Sequence, residues 1–230
     1  GWSGISAGAC DDGDGGPCFD PVHAVITGNA FLEGHAAIGI AISLSDGFVL
    51  PGAEITENIV AASSVEAFNA LSVNSGVDGL RLEGNIFYNA TSVAIYGLNQ
   101  DMQWRNNVWN NDQHDLPLVS FFDPGSASGL VAEGNTFFSS ARDENRWFEL
   151  PSGDGGLEQW QAFSGELATG EDPQWVDEDR SLASFSESLG GEPSSEAFVL
   201  AALEQRRLAY REEYGAPAII DYLREGFRAP

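Results

Sequence analysis

The chain has 230 residues, a formal net charge of −25 and no lysine, so all ten of its cations are arginine. A surface this acidic repels nucleic acid and anionic membranes over a Debye length, so neither is an expected partner. No window holds the run of apolar residues needed to span a bilayer, so membrane insertion is not expected, while the length suffices to bury a sizeable core.

Residues 1–24 are rich in Gly and Asp and contain the only two cysteines, Cys10 and Cys18, eight positions apart. Two free thiols and a loop-closing disulfide both fit this spacing. A lysine-free acidic chain built of strands favours the bond, and with it an extracellular or cell-surface location. Asp11, Asp12 and Asp14 lie with glycines between the cysteines and Asp20 just beyond, and Asp12, Asp14 and Asp20 are the candidate ligands of a short loop that turns carboxylates onto a hard cation such as Ca²⁺. The closing Glu of a full EF-hand loop is absent, and a solvated acidic turn accounts for the same residues.

From Val25 the chain repeats itself. Leu80-Arg81-Leu82-Glu83-Gly84-Asn85-Ile86-Phe87 and Met102-Gln103-Trp104-Arg105-Asn106-Asn107-Val108-Trp109 share one pattern: alternating apolar and polar residues, a turn residue, Asn, then a large apolar residue two places on. Period-two alternation predicts a strand with one buried face. The other copies place Asn at 29, 58 and 135, so the five Asn are spaced by 29, 27, 22 and 28 residues. Self-similarity at such a period predicts a solenoid whose units bury a core only by stacking. Ile26, Ile55, Leu82, Trp104 and Ala132 form one expected interior column, and Phe31, Val60, Phe87, Trp109 and Phe137 form another. Each repeat adds a second apolar segment, at 37–44, 65–73, 92–98 and 118–122. Helical repeats are longer, and the Val, Ile, Phe, Gly and Asn content disfavours helix.

Asn29, Asn58, Asn85, Asn107 and Asn135 are expected to form a structural ladder. A stacked Asn offers two donors and an acceptor, enough to bond its neighbours above and below and the main chain of the turn. These Asn and their apolar neighbours, over roughly Val25 to Ser140, resemble the right-handed parallel β-helix of the pectin-lyase-like superfamily, whose coils often carry an asparagine ladder. The resemblance implies an all-β solenoid, a right-handed parallel β-helix of about five coils with a C-terminal α-helical cap. It also implies a family in which many members are polysaccharide lyases or hydrolases.

If the coils stack in register, Arg105 lies between Glu83 and Glu133 on the outer face, as a charge ladder or as part of an active site. Asn110–Pro117 gathers Asp112, His114 and Asp115, where a His between carboxylates could act as a base or bind a metal, or simply sit in a turn. Asn89-Ala90-Thr91 is an N-glycosylation sequon. After Arg146 the pattern becomes helical: a short helix over Asp154–Phe163, a long one over Ser194–Tyr214, and a last one with Ile219, Leu223 and Phe227 on one face. The expected organisation is therefore coils over 1–145 and a C-terminal loop and helical capping region over 146–230.

Polyuronate lyases need cations for the sugar carboxylate and a base for the adjacent proton. Here lysine is missing and eight of the ten Arg lie at or beyond Arg142. The expected function is thus an extracellular, non-catalytic module, structural or adhesive, in contact with polysaccharide at most. The alternative is a carbohydrate-active enzyme or the C-terminal part of one. Nothing before Val25 matches the apolar helices of the C-terminal end, so a neighbour is expected there: further coils of a longer chain, or a subunit stacked head to tail.

Overall fold

The computed structural model describes residues 3–9, 23–32, 38–44, 49–61, 69–74, 76–90, 93–97, 99–206 and 209–228. It divides into two compact units, Gly1–Asp172 and Pro173–Pro230. The first is a parallel β-solenoid. After β1 (Ser3–Ala9) come five successive sets of strands. The first set is β2 (Ala24–Thr27), β3 (Ala30–Leu32) and β4 (Ile38–Leu44), and the second is β5 (Ala53–Thr56), β6 (Ile59–Ala61) and β7 (Asn69–Asn74). The third holds β8 (Leu80–Glu83), β9 (Ile86–Tyr88) and β10 (Val93–Tyr96). The fourth holds β11 (Gln103–Arg105), β12 (Val108–Asn111) and β13 (Val119–Phe121). The fifth has β14 (Val131–Glu133), β15 (Thr136–Ser139) and β16 (Phe148–Leu150), and β17 (Gly153–Gly155) folds back on β16.

Stacking these sets makes three sheets, ordered β2-β5-β8-β11-β14, β3-β6-β9-β12-β15 and β1-β4-β7-β10-β13-β16-β17. Sequential strands of a coil therefore never pair with each other. Each pairs with its counterpart one coil away, in parallel, and only the β16–β17 hairpin is antiparallel. The expected interior columns are in register: Ile26, Ile55, Leu82, Trp104 and Ala132 in the first sheet, and Phe31, Val60, Phe87, Trp109 and Phe137 in the second. From the third coil on, the second column is aromatic throughout. Phe87 stacks on Trp109 at 5.2 Å, and Trp109 on Phe137 at 4.6 Å between ring centroids.

Between the first two sheets the chain turns through a residue in the left-handed region: Gly28, Glu57, Gly84, Asn106 and Gly134, with φ between 52° and 68°. The coil after each non-glycine residue of this column carries a glycine, for a steric reason. A Cβ on Gly84 would run into the Glu57 carboxylate, and one on Gly134 into the Asn106 amide.

The next residue in each turn is the ladder Asn. The Oδ1 of Asn58 accepts from both the backbone N–H and the Nδ2 of Asn29, at 3.0 and 3.1 Å. Asn85, Asn107 and Asn135 repeat this toward Asn58, Asn85 and Asn107 at 2.9–3.1 Å. The second Nδ2 hydrogen of Asn58, Asn85, Asn107 and Asn135 goes to the carbonyl of Ile26, Ile55, Leu82 and Trp104 in the coil before. Asn58, Asn85, Asn107 and Asn135 are almost wholly buried, so every one of these bonds spares a donor from desolvation without a partner.

The ladder ends on a residue of another type. Glu166, 3% exposed, occupies the sixth position, and its Oε1 accepts from the backbone N–H and Nδ2 of Asn135, both at 2.8 Å. Its Oε2 accepts from the indole of Trp160 at 2.9 Å. Trp160 sits on helix α1 (Leu157–Ser164) and closes the lumen, stacked on Phe148 at 4.9 Å and edge-on to Phe137 at 5.2 Å. Thr169 then adds a rung beyond β15 through bonds to Phe137 N and Asn135 O.

The second unit contains α2 (Leu182–Ser188), α3 (Ser195–Leu203) and α4 (Ala216–Gly226) around Phe185, Phe198, Tyr222 and Leu223. The long helix expected over Ser194–Tyr214 stops at Leu203. Tyr214 stacks on Phe198 at 5.5 Å, which a continuous helix would forbid, since sixteen residues at about 1.5 Å each would hold the rings roughly 24 Å apart. Gln205 fixes the reversal, donating to Ala201 O and accepting from Arg211 N. α2 has no counterpart in the sequence reading; it is nucleated by the reciprocal Ser181–Ser184 cap.

Replacing Glu166 tests the end of the ladder. Gln must turn at least one N–H toward another donor and is expected to cost about 1–3 kcal/mol. Ala strips the acceptors from three N–H groups and is expected to cost more, both read by urea unfolding.

Candidate functional site

The first sheet's outer face carries a linked set of exposed and half-exposed charged groups. Leu80 and Leu82 point inward, which forces Arg81 and Glu83 outward, and the same alternation presents Glu54 on β5 and Gln103 and Arg105 on β11. Arg81 is the hub. Its Nε and NH2 bond Glu83 Oε2 at 2.8 and 2.5 Å, and its NH1 reaches Glu54 Oε2 at 3.2 Å. The Glu83 hydrogen bond, with the neighbouring negative charges, holds the Arg81 pKa above its ordinary value. His23 Nε2 lies 3.1 Å from the other Glu54 oxygen, and below it Thr56 donates to Thr27 at 2.9 Å.

Arg105 lies in register between Glu83 and Glu133, as the repeat predicts. The ion pairs nevertheless belong to Arg81, because Glu83 turns along its own strand toward its second neighbour. The buried Nε of Arg105 has no hydrogen-bond partner among the described residues.

The Asn110–Pro117 loop does not gather its titratable groups. Asp112 accepts from Ser140 at 2.9 Å, Asp115 accepts from Arg142, and His114 is 7% exposed with a buried Nε2 that has no partner among the described residues. Asn111 organises this turn, accepting from the N–H of Gln113 and His114 and donating to His114 O. Among the described residues no three His, Cys, Asp or Glu side chains are grouped to hold a metal ion. Cys10, Cys18, Asp12, Asp14 and Asp20, the expected disulfide and Ca²⁺ ligands, lie outside the described residues. The sequon residue Asn89 is 2% exposed, has φ 49° and accepts from Asp112 N at 2.7 Å. The folded coil therefore has no room for a glycan there.

Two residues that sequence reasoning passed over matter most near the C-terminal end of the solenoid. Glu166 is one. The other is Arg142, 8% exposed, whose guanidinium bonds Arg146 O, Asp115 O at 3.0 Å and Asp115 Oδ1 at 3.3 Å, and approaches Asp154 at 3.7 Å. It ties the Asn110–Pro117 loop, the turn after β15 and the β16–β17 hairpin together. Beside it Asp143 caps the 3-10 turn Glu144–Arg146, and the N–H of Asn145 lowers its pKa. A cleft of about 250 Å³ opens at the start of α1, lined among others by Glu144, Trp147, Glu158 and Gly170. Its two carboxylates disfavour an anionic occupant.

Neither a protein-family model, nor a curated protein, nor a solved structure matches this chain.

Arg142→Met keeps the packing of the stem but abandons the buried acceptors, and is expected to cost about 2–4 kcal/mol in chemical denaturation. Arg81→Ala, on the exposed face, is expected to leave the unfolding midpoint nearly unchanged, in low and high salt alike. An equal loss for both variants would contradict this assignment.

Proposed function

We propose that the chain is a non-catalytic β-helix module of the extracellular space or cell surface, structural or adhesive, and akin to the pectin-lyase-like superfamily. One observation carries this reading. Four charged or titratable groups of the outer face are engaged with one another, Arg81 with Glu54 and Glu83 and Glu54 with His23, as in a cross-strand ladder. A lyase would instead need cationic groups turned out toward the sugar carboxylate. A disulfide between Cys10 and Cys18 suits the same compartment. The alternative, a carbohydrate-active enzyme or part of one, draws on Arg105, whose buried Nε has no partner among the described residues although Glu83 and Glu133 flank it in register.

The solenoid's N-terminal end supports the structural half of the proposal. Among the described residues β2 and β3 are edge strands, and nothing donates to the Oδ1 of Asn29. Every later ladder Oδ1 takes two N–H donors from the coil before it. A further coil, of a longer chain or of a stacked second subunit, supplies such donors together with strand partners.

Two measurements test this reading. On arrays of neutral and acidic polysaccharides, with and without Ca²⁺, the chain is expected to depolymerise none of them; release of oligosaccharides would install the enzyme in its place. In sedimentation the 230-residue chain is expected to associate with rising concentration. A dispersed monomer at all concentrations would remove stacking of this chain on itself.

A further inference from the structure

Helix α3 is apolar on two sides. Phe198 faces the interior of its own unit against Phe185 and Tyr214. On the solvent side Glu196, Val199, Leu200 and Leu203 follow the i, i+3, i+4, i+7 spacing of a single helical stripe. In an ordinary surface helix that spacing marks the buried face. Here Val199 is 46%, Leu200 57% and Leu203 75% exposed. Three large aliphatic side chains in one outward row are not needed to hold α3, whose inward face is already packed.

We propose that this stripe is a docking surface for a basic amphipathic helix of a partner protein. The charges at its two ends select the occupant. Glu196 begins the stripe and Glu204 follows it at the helix end, and both are exposed. A second copy packed antiparallel would bring Glu196 against Glu204 at each end, within a chain already at −25, so self-association through this face is opposed by like charges. A helix that lays leucine-like side chains along Val199, Leu200 and Leu203 and carries Lys or Arg beyond them satisfies both the apolar row and its acidic ends.

The test uses the full chain and a short synthetic amphipathic helix of Leu and Lys, with a twin in which Glu replaces Lys. Binding is followed by fluorescence anisotropy. The Lys peptide is expected to bind saturably and the Glu twin not at all. The double variant Leu200→Ser/Leu203→Ser leaves the charge unchanged and is expected to weaken binding about tenfold or more. Glu196→Gln/Glu204→Gln is expected to weaken it less and to flatten its salt dependence. All four positions are exposed, and an unchanged circular-dichroism melt establishes that each variant is folded. Equal binding by the serine variant would reduce the attraction to net charge alone and overturn the proposal. So would concentration-dependent dimerisation that the serine variant abolishes, or serine-sensitive binding to neutral phosphatidylcholine vesicles that exceeds binding to the peptide.

Discussion

The solenoid depends on one hydrogen-bond arrangement: a side-chain Oδ1 that accepts the backbone N–H and the Nδ2 of the residue one coil back. In the turn between the first two sheets Asn58, Asn85, Asn107 and Asn135 are buried, and a main-chain N–H without a partner there costs about 1–3 kcal/mol. An Asn directly after a left-handed residue meets that need in every coil, and the bond length leaves no freedom for a coil to slide. The ladder therefore fixes the register. Register in turn places Phe87, Trp109 and Phe137 over one another inside, and Glu54, Arg81, Glu83 and Arg105 in rows outside. Spacings from 22 to 29 residues are tolerated because insertions fall in the other turns and leave this corner unchanged.

The arrangement has a direction, and so the two ends pose different problems. Each ladder Asn donates its backbone N–H and one Nδ2 hydrogen toward the C-terminal end, and its Oδ1 accepts from the N-terminal side. At the last rung a sixth Asn would satisfy Asn135, yet one of its own Nδ2 hydrogens would have no coil beyond to accept it. A carboxylate accepts only. Glu166 therefore satisfies Asn135 with one oxygen and spends the other on the Trp160 indole. The polar ladder and the apolar lumen are closed by the same pair of residues. At the other end Asn29 turns an Nδ2 hydrogen to Thr27 O of its own coil, where Asn58, Asn85, Asn107 and Asn135 reach the coil before.

The coils were legible in the sequence because two independent signals coincide there. Period two gives the strands, and the recurrence of Asn gives their stacking; residue type and position together admit one answer. Glu166 escaped because it does the work of Asn with a different side chain, in a segment whose pattern is helical. Arg142 escaped because burial of an Arg leaves no mark in a single sequence. The length of α3 was misread for a related reason. Local propensity favours helix through Tyr214, and what stops it is a ring contact to Phe198 that joins residues sixteen apart. The outer face was read correctly for register but not for pairing, since the choice of Glu83 between Arg81 and Arg105 is one of rotamer rather than sequence.

Where the arginines are used decides what the rest of the surface can meet. Arg81 is engaged by two glutamates, Arg142 is buried among loop carbonyls, and Arg146 bonds Asp154. In the second unit Arg180 lies over the Tyr222 ring and pairs with Glu225, and Arg211 lies over Tyr214 and pairs with Glu213. These five cations act on the protein's own carboxylates, carbonyls and rings. With 35 acidic side chains against ten cations, the field that reaches solvent remains negative. A long-range field selects partners before contact does, by raising or lowering the rate of encounter. Neutral polymers, cations and basic protein segments pass that filter, and acidic polysaccharides pass it only with a bridging cation. Short-range recognition then falls to features that the fold itself does not consume, and the outward stripe of α3 is one of these.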